Sequence, residues 1–384
     1  MLGRTVHEIL AKTEYGVAMV ELSPFPIGGP LRPDEVTGRE ELVRDLSERL
    51  LARRVTALLG PRRYGKTSVL RKVAADLAGV GPETVWIDLY GLSSMADLAG
   101  RLDEGLAQTR GKLRRAIASM AESMSLKLGA VTVEFTRNRL SRPDAILVAR
   151  PLLQLLVKAA ERHDLLLVLD EFSGVTRVDG AAALLRTGLQ HHYRDLSIVF
   201  AGSEPSMMRA LFTDRAEPFF GQAELLEIGP MADSAVASIV VDGFDRTGRD
   251  VGEIDQRIVA MAQGHPYRAM ELADALWRCT EPGATADDAG WELALQSVRA
   301  GVAVGSEALF QALPLGSQRV LRAIATDGKA YGATAEVLGL AAGTARTAIH
   351  ALVGEGHLDR RDGKLVLTDP MFADWIRQRF PGPT

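Results

Sequence analysis

A parallel-sheet α/β domain, then a helical lid, then a C-terminal winged helix is the fold class that the sequence predicts. Three observations predict it. Short apolar runs that stop at glycine or acidic residues alternate with amphipathic helices up to residue 229. One of these runs leads through Gly60-Pro61-Arg62-Arg63-Tyr64-Gly65-Lys66-Thr67 straight into a helix. After Pro230 strand-like runs disappear, until Asp362-Gly363 joins two of them behind three helices.

Composition sets the frame. The chain has 384 residues, 47% hydrophobic and 24% charged, which suits two or three globular domains and excludes a wholly disordered chain. A net charge of -4 excludes a global basic field for nucleic acid. The single cysteine, Cys279, excludes a disulfide framework and a multi-cysteine zinc site, and is expected in the core. The most apolar run, Leu165 to Leu169, stops after five residues at Asp170-Glu171, where a spanning helix needs about 20. Glu8, Lys12 and Glu14 interrupt the N-terminus, which lacks the apolar centre of a signal peptide. A cytoplasmic protein without membrane contact is expected.

Taken in order, residues 1–37 read as an extended leader ending in a Pro/Gly-rich stretch. Residues 38–229 hold the α/β core. Leu42, Val43, Leu46, Leu50 and Leu51 recur at helical spacing between Glu40 and Ala52. Arg54–Leu59 and Thr84–Leu89 read as strands around a helix from Lys66 to Ala78. Residues 92–163 read as a mostly helical insertion, interrupted by a hairpin or edge strand over Gly129–Asn138. Leu165–Leu169, Ser197–Ala201 and Leu225–Ile228 read as further strands, with a helix over Gly180–His191. Residues 230–305 read as a helical lid, including Ala232–Phe244, Ile254–Gln263 and Tyr267–Arg278. Residues 306–384 read as the winged helix: helices at Ser317–Ala325, Thr334–Leu338 and Thr344–Glu355, then the hairpin His357–Arg361 and Lys364–Thr368.

The eight residues Gly60 to Thr67 fit the phosphate-loop pattern at every fixed position, after a strand and before a helix. Glycines let the backbone turn its N–H groups inward, and the helix N-terminus adds positive potential for α- and β-phosphates. Gly60, Pro61, Arg62, Arg63, Tyr64, Gly65, Lys66, Thr67 and Ser68 are thus the candidate nucleotide-binding loop. Lys66 carries the charge for the β- and γ-oxygens, and Thr67 offers a hydroxyl to Mg²⁺. Asp170 ends the most apolar run, where a carboxylate faces the crevice of a parallel sheet. It is the second candidate metal ligand, through water. Glu171 is the candidate base for the attacking water. Ser203 ends the following run and reads equally as a γ-phosphate sensor or as a helix cap before Pro205.

Phosphate loop, Asp-Glu strand and polar strand end in this order resemble the archaeal-type P-loop ATPases of the AAA+ and STAND group. Thr37-Gly38-Arg39-Glu40 resembles their entry element, and Gly60-Pro61-Arg62-Arg63 their phosphate-loop variant. Gly264-His265-Pro266 resembles a G-x-P element, which implies contact of Pro266 with adenine or sugar. Asp369-Pro370 with Phe372 and Trp375 resembles the close of their winged helix. The resemblance implies ATP or ADP as ligand with Mg²⁺, and ATP hydrolysis. One departure is Phe219-Phe220-Gly221-Gln222, where relatives carry a Gly-Arg pair. Arg215 and Arg268 are the substitutes nearby in sequence, and without such a cation turnover is expected to be slow.

Weaker signals have ordinary readings. His191-His192 reads as a surface helix end, and Arg110 to Arg115 as a solvated helix face. From Ser306 onward nine Lys/Arg face eight Asp/Glu, short of the basic excess of most DNA-binding modules. Thr344, Arg346, Thr347 and His350, with Arg360, Arg361 and Lys364, are the candidate DNA contacts. Three functions remain open on sequence alone: a slow ATPase acting as a nucleotide-dependent switch, an ATP-controlled DNA-binding protein, and an ADP-retaining scaffold. A protein partner and a homo-oligomer are compatible with each.

Overall fold

The structure is a computed structural model that describes residues 21–79, 81–129, 142–361 and 363–381. Among the described residues, five strands form one parallel sheet: β1 (Thr56–Leu59), β2 (Glu83–Asp88), β3 (Leu165–Asp170), β4 (Leu196–Gly202) and β5 (Glu224–Glu227). Their spatial order is β2-β3-β4-β1-β5. β1, β3 and β4 are buried along their whole length, which is why they read as unbroken apolar runs. β4 lies between β1 and β3. The carboxyl ends of three strands far apart in sequence therefore stand side by side, and this crossover in strand order opens the crevice.

Helices cover both faces. α1 (Glu40–Leu51) and α2 (Lys66–Leu77) pack on one side, with Leu46, Leu50, Leu70 and Val73 against Leu58, Val168 and Val199. The other side carries α3 (Met95–Ala107), α4 (Gly111–Ser123), α5 (Arg142–Ala160), α6 (Ala181–Leu189) and α7 (Pro205–Thr213). Ser94 caps α3 by accepting from the Asp97 N–H at 3.1 Å. Arg110, Lys112, Arg114 and Arg115 are exposed while Leu113 is buried, so that basic run is a solvated helix face. The hairpin expected over 129–138 falls, beyond Gly129, outside the described residues.

The lid has its own core. α8 (Asp233–Asp245), α9 (Ile254–Ala262), α10 (Pro266–Arg278) and the first half of α11 (Asp288–Ala312) bury Val240, Phe244, Ile258, Leu272 and Trp291 together. The winged helix follows with α12 (Leu315–Asp327), α13 (Ala333–Val337), α14 (Ala342–Gly354), the antiparallel hairpin β6 (Leu358–Arg361) and β7 (Lys364–Leu367), and α15 (Pro370–Arg379). Its core joins Val320, Ile324, Leu352, Phe372 and Ile376.

α11 runs unbroken for 25 residues across positions 305 and 306, so lid and winged helix share this helix. One expectation needs correction. Cys279 is exposed rather than buried, because it caps the end of α10 beside buried Leu276 and Trp277. No helix among the described residues is long and apolar enough to cross a membrane.

The described part of the leader is a strap. Phe25 is buried in the lid core, 5.7 Å between ring centroids from Phe244. Gly243 makes this approach possible, since a Cβ there would lie 2.3 Å from the Phe25 ring. Further on, the Leu31 N–H donates to Ser68 Oγ at 3.0 Å. The strap thus runs from lid to phosphate loop.

Candidate nucleotide site

A cleft of about 1050 Å³ opens between core, lid and winged helix. Pro61 to Ser68, Glu171, Ser203 and Pro266 all line it. The strap lines it through Leu31 and Val36, the lid through Met231 and Tyr267, and the winged helix through His357, Thr368, Asp369 and Phe372.

The phosphate loop follows from its residues. Gly65, at φ +90, takes the left-handed turn that lets α2 start at Lys66. Gly60 is required by packing, since a Cβ there would lie 2.2 Å from Ile228 Cγ2. The Lys66 ammonium is folded back on its own loop, donating to the carbonyls of Gly60 at 2.7 Å and Pro61 at 2.9 Å. Burial pushes its pKa down to about 8, against the pull of Glu171 and Asp170.

The acidic pair meets the loop directly. Thr67 Oγ1 donates to Asp170 Oδ2 at 3.0 Å, joining the first turn of α2 to the end of β3. Asp170 is buried, and burial pushes its carboxyl up to about 6 despite the Thr67 hydrogen bond. A carboxylate with that cost invites a cation. Among the described residues no group of three or more His, Cys, Asp or Glu could hold a metal ion. Thr67 Oγ1 and Asp170 offer two hard oxygens side by side, a donor set that fits Mg²⁺ rather than zinc.

Glu171 sits in the left-handed region at φ 50, which turns its side chain away from Asp170 towards β4. There its Oε2 accepts from Ser203 Oγ at 2.6 Å and from the Ser203 N–H at 3.2 Å. Ser203 thus holds the carboxylate of Glu171. It makes no side-chain cap on α7, whose N-cap is Glu204. Beside them Arg177 is paired with Glu204 at 2.7 Å.

The arginines fall differently from expectation. Arg268 is buried and gives two hydrogen bonds to Asp369, at 2.9 and 2.6 Å, and another to Glu271. Asp369 is the N-cap of α15, its Oδ1 accepting from the Met371 and Phe372 N–H groups. Burial pushes the Asp369 carboxyl up, but the Arg268 guanidinium outweighs this and holds it below the carboxylate range. Arg215 is exposed and is not part of the cleft wall. Neither candidate is presented to the cleft; Arg39, Arg62, Arg63 and Arg177 are. Gln222 accepts from the Tyr193 hydroxyl at 2.7 Å, next to the Phe172, Phe200 and Phe219 cluster, so that departure is structural.

Three residues that the sequence motifs already contain make contacts that the sequence did not specify. Arg39 donates to the carbonyls of Gly229 at 2.7 Å and Pro230 at 3.4 Å, pinning the start of α1 to the core–lid junction. Its neighbour Gly38, at φ +71, was a readable signal for a turn. His265 caps α10, its Nδ1 accepting from the Arg268 N–H at 3.4 Å, and burial lowers its pKa to about 4. Tyr64 reaches the winged helix. His192 lies at the surface with Nδ1 3.3 Å from Asp195, as an ordinary helix end does.

No family model matches the chain, and no curated protein sequence does. Solved structures do. Across 92% of this chain and 99% of the other, the fold matches the Walker-type ATPase of Pyrococcus abyssi with a TM-score of 0.70 at 20% identity. The ADP form of the Aeropyrum pernix ORC2 protein matches over 93% of this chain and 98% of the other, with a TM-score of 0.51 at 13% identity. With a five-stranded parallel sheet, a phosphate-loop turn between β1 and α2, a helical lid and a winged helix, the chain has the fold of the Walker-type ATPase of Pyrococcus abyssi.

Proposed function

We propose that the chain binds ATP and ADP with Mg²⁺ in this cleft, hydrolyses ATP slowly, and works as a nucleotide-dependent switch. The observation that carries this reading is the meeting of Lys66, Thr67, Asp170, Glu171 and Ser203 at three adjacent strand ends. Lys66 would leave the Gly60 and Pro61 carbonyls for the β- and γ-oxygens. Thr67 and Asp170 would hold Mg²⁺, whose contribution is to neutralise phosphate charge. Glu171 would take the proton of the attacking water, aligned by Ser203. Pro266 would pack on the nucleoside. The unit boundaries of the reading are 38–229, 230–305 and 306–384, with α11 as the shared spine.

Slow turnover follows from the occupied Arg268. A charge-compensating arginine is worth about 10³–10⁵ in rate, and here its guanidinium is spent on Asp369 and Glu271. Arg39, Arg62, Arg63 and Arg177 line the cleft instead, and turnover stays slow unless one of them, a protein partner or a second copy of the chain takes that role. The switch follows from the cleft wall, where core and winged helix face the same ligand. A ligand shifts an equilibrium only by its differential affinity for the two states, and a γ-phosphate near Ser203 provides such a difference. Small-angle scattering and limited proteolysis with ADP and with a non-hydrolysable ATP analogue are expected to differ. Identical profiles at saturating Mg²⁺ would remove the switch and leave a scaffold that retains ADP.

DNA binding is the second reading. It is favoured by the exposure of Thr344, Arg346, Thr347 and His350 along α14. Against it, Arg361 of the wing is engaged at the cleft. Duplex binding that weakens steeply with salt would support it.

Ser203→Ala separates alignment from binding. The variant loses the 2.6 Å bond that holds Glu171. The expected result is a fall in kcat of about ten- to a hundredfold with KM little changed. An unchanged kcat would mean that Ser203 only stabilises the turn after β4.

A further inference from the structure

Tyr64 is buried unlike its loop neighbours Arg62 and Arg63, which are exposed. Its ring is 1% exposed, and the groups that bury it come from far along the chain. Its hydroxyl donates to the Thr368 carbonyl at 3.3 Å and accepts from Arg361 Nη2. Arg361 ends β6 and Thr368 follows β7, so both partners belong to the wing, about 300 residues away. Thr368 is itself fixed, its hydroxyl donating to the Gly356 carbonyl at 2.7 Å. Arg361 also donates to the Gln263 carbonyl at 3.3 Å, at the end of α9. His265 meets the Tyr64 ring edge-on at 4.8 Å between centroids. Next to it, Arg63 sits at φ 64, an unfavourable backbone state for a non-glycine residue, and lies over the Tyr267 ring at 4.3 Å.

The phosphate loop is thus gripped from outside by lid and wing. A phenylalanine would fill the same space. The hydroxyl adds direction, since its proton and a lone pair are both used on the wing. The same hairpin places His357 and Thr368 in the cleft wall. Lifting the wing would at once open the cleft and remove the groups that hold the loop.

We infer that Tyr64 is a positioning residue of the nucleotide site: through Arg361 and Thr368 it latches the wing onto the phosphate loop, so that bound nucleotide leaves only when the wing lifts. This rests on the reading of the cleft as a nucleotide site.

The test is dissociation of a fluorescent ADP analogue with Mg²⁺, chased by excess ATP, from the full chain and from Tyr64→Phe, Arg361→Gln and the double variant. Each single variant is expected to release the probe about tenfold faster, the worth of one charge-assisted hydrogen bond. The double variant is expected to release it no faster than the faster single one, because both remove the same contact. Limited proteolysis of the 358–367 hairpin should quicken in parallel. Wild-type release rates in either single variant, or multiplied effects in the double, overturn the latch. If Tyr64→Phe does not fold, Arg361→Gln decides alone: earlier hairpin cleavage with unchanged release overturns the proposal. A wild-type chain that does not retain the probe takes down the nucleotide site and the latch with it. Retention by the wild type with no change in the variants takes down the latch only.

Discussion

Lys66→Ala is expected to weaken ATP binding by two orders of magnitude or more while the protein stays folded. The Lys66 ammonium is the most deeply buried cation of the cleft wall, 5% exposed at the start of α2. Burial already lowers its pKa to about 8, so the fold holds this charge at a cost. Two bonds to loop carbonyls offset part of that cost. Phosphate oxygens would offset it better, because each carries charge. A pair of unit charges 4 Å apart at an effective dielectric constant of 20 is worth about 4 kcal/mol, and even half of that is a loss of about thirtyfold. Alanine is a good residue for the first turn of a helix. The substitution also removes a buried charge, so the melting temperature should change little. Calorimetric titration with MgATP, beside a thermal melt, checks both halves. A variant that binds as tightly as wild type would refute the assignment of this loop.

The phosphate loop and the acidic pair were legible in the sequence because their geometry is local. Eight consecutive residues set the turn, and a run of five apolar residues sets the strand that carries Asp170 to the crevice. The strand order was not legible. That β4 inserts between β1 and β3 depends on which long-range pairs form, yet it is what brings Ser203 onto Glu171. The arginine question failed for the same reason. Arg268 and Asp369 are 101 residues apart, and no periodicity links them, although Asp369 before Pro370 was readable as a helix cap. α11 escaped because Gly301, Gly305 and several alanines dilute its pattern where it crosses from lid to winged helix. Phe25 escaped because one aromatic residue in a Pro/Gly-rich strap gives no period at all. The motifs that suggest the chemistry are short and local, whereas the cleft is assembled by pairs of residues that only the fold brings together.

Glu171→Gln should do the opposite of Lys66→Ala: ATP still binds, and hydrolysis falls by about 10²–10⁴-fold, the usual worth of a general base. The amide has the shape of the carboxylate, and its oxygen can still accept from the Ser203 hydroxyl and N–H, so the turn after β3 keeps its bonds. What it loses is the capacity to take a proton. Asp170→Asn is the necessary contrast. Asp170 accepts from Thr67 at 3.0 Å and is buried, with its carboxyl already pushed up to about 6. An amide there removes the charge offered to Mg²⁺ and leaves a buried NH₂ group facing the cation site. Binding and metal dependence should therefore weaken together in Asp170→Asn and stay near wild type in Glu171→Gln. Single-turnover hydrolysis combined with nucleotide titration at several Mg²⁺ concentrations separates the two patterns. If Glu171→Gln turns over at the wild-type rate, the base lies elsewhere in the cleft. If both variants lose binding alike, the two carboxylates act as one electrostatic unit, and the division of roles between metal and water does not hold.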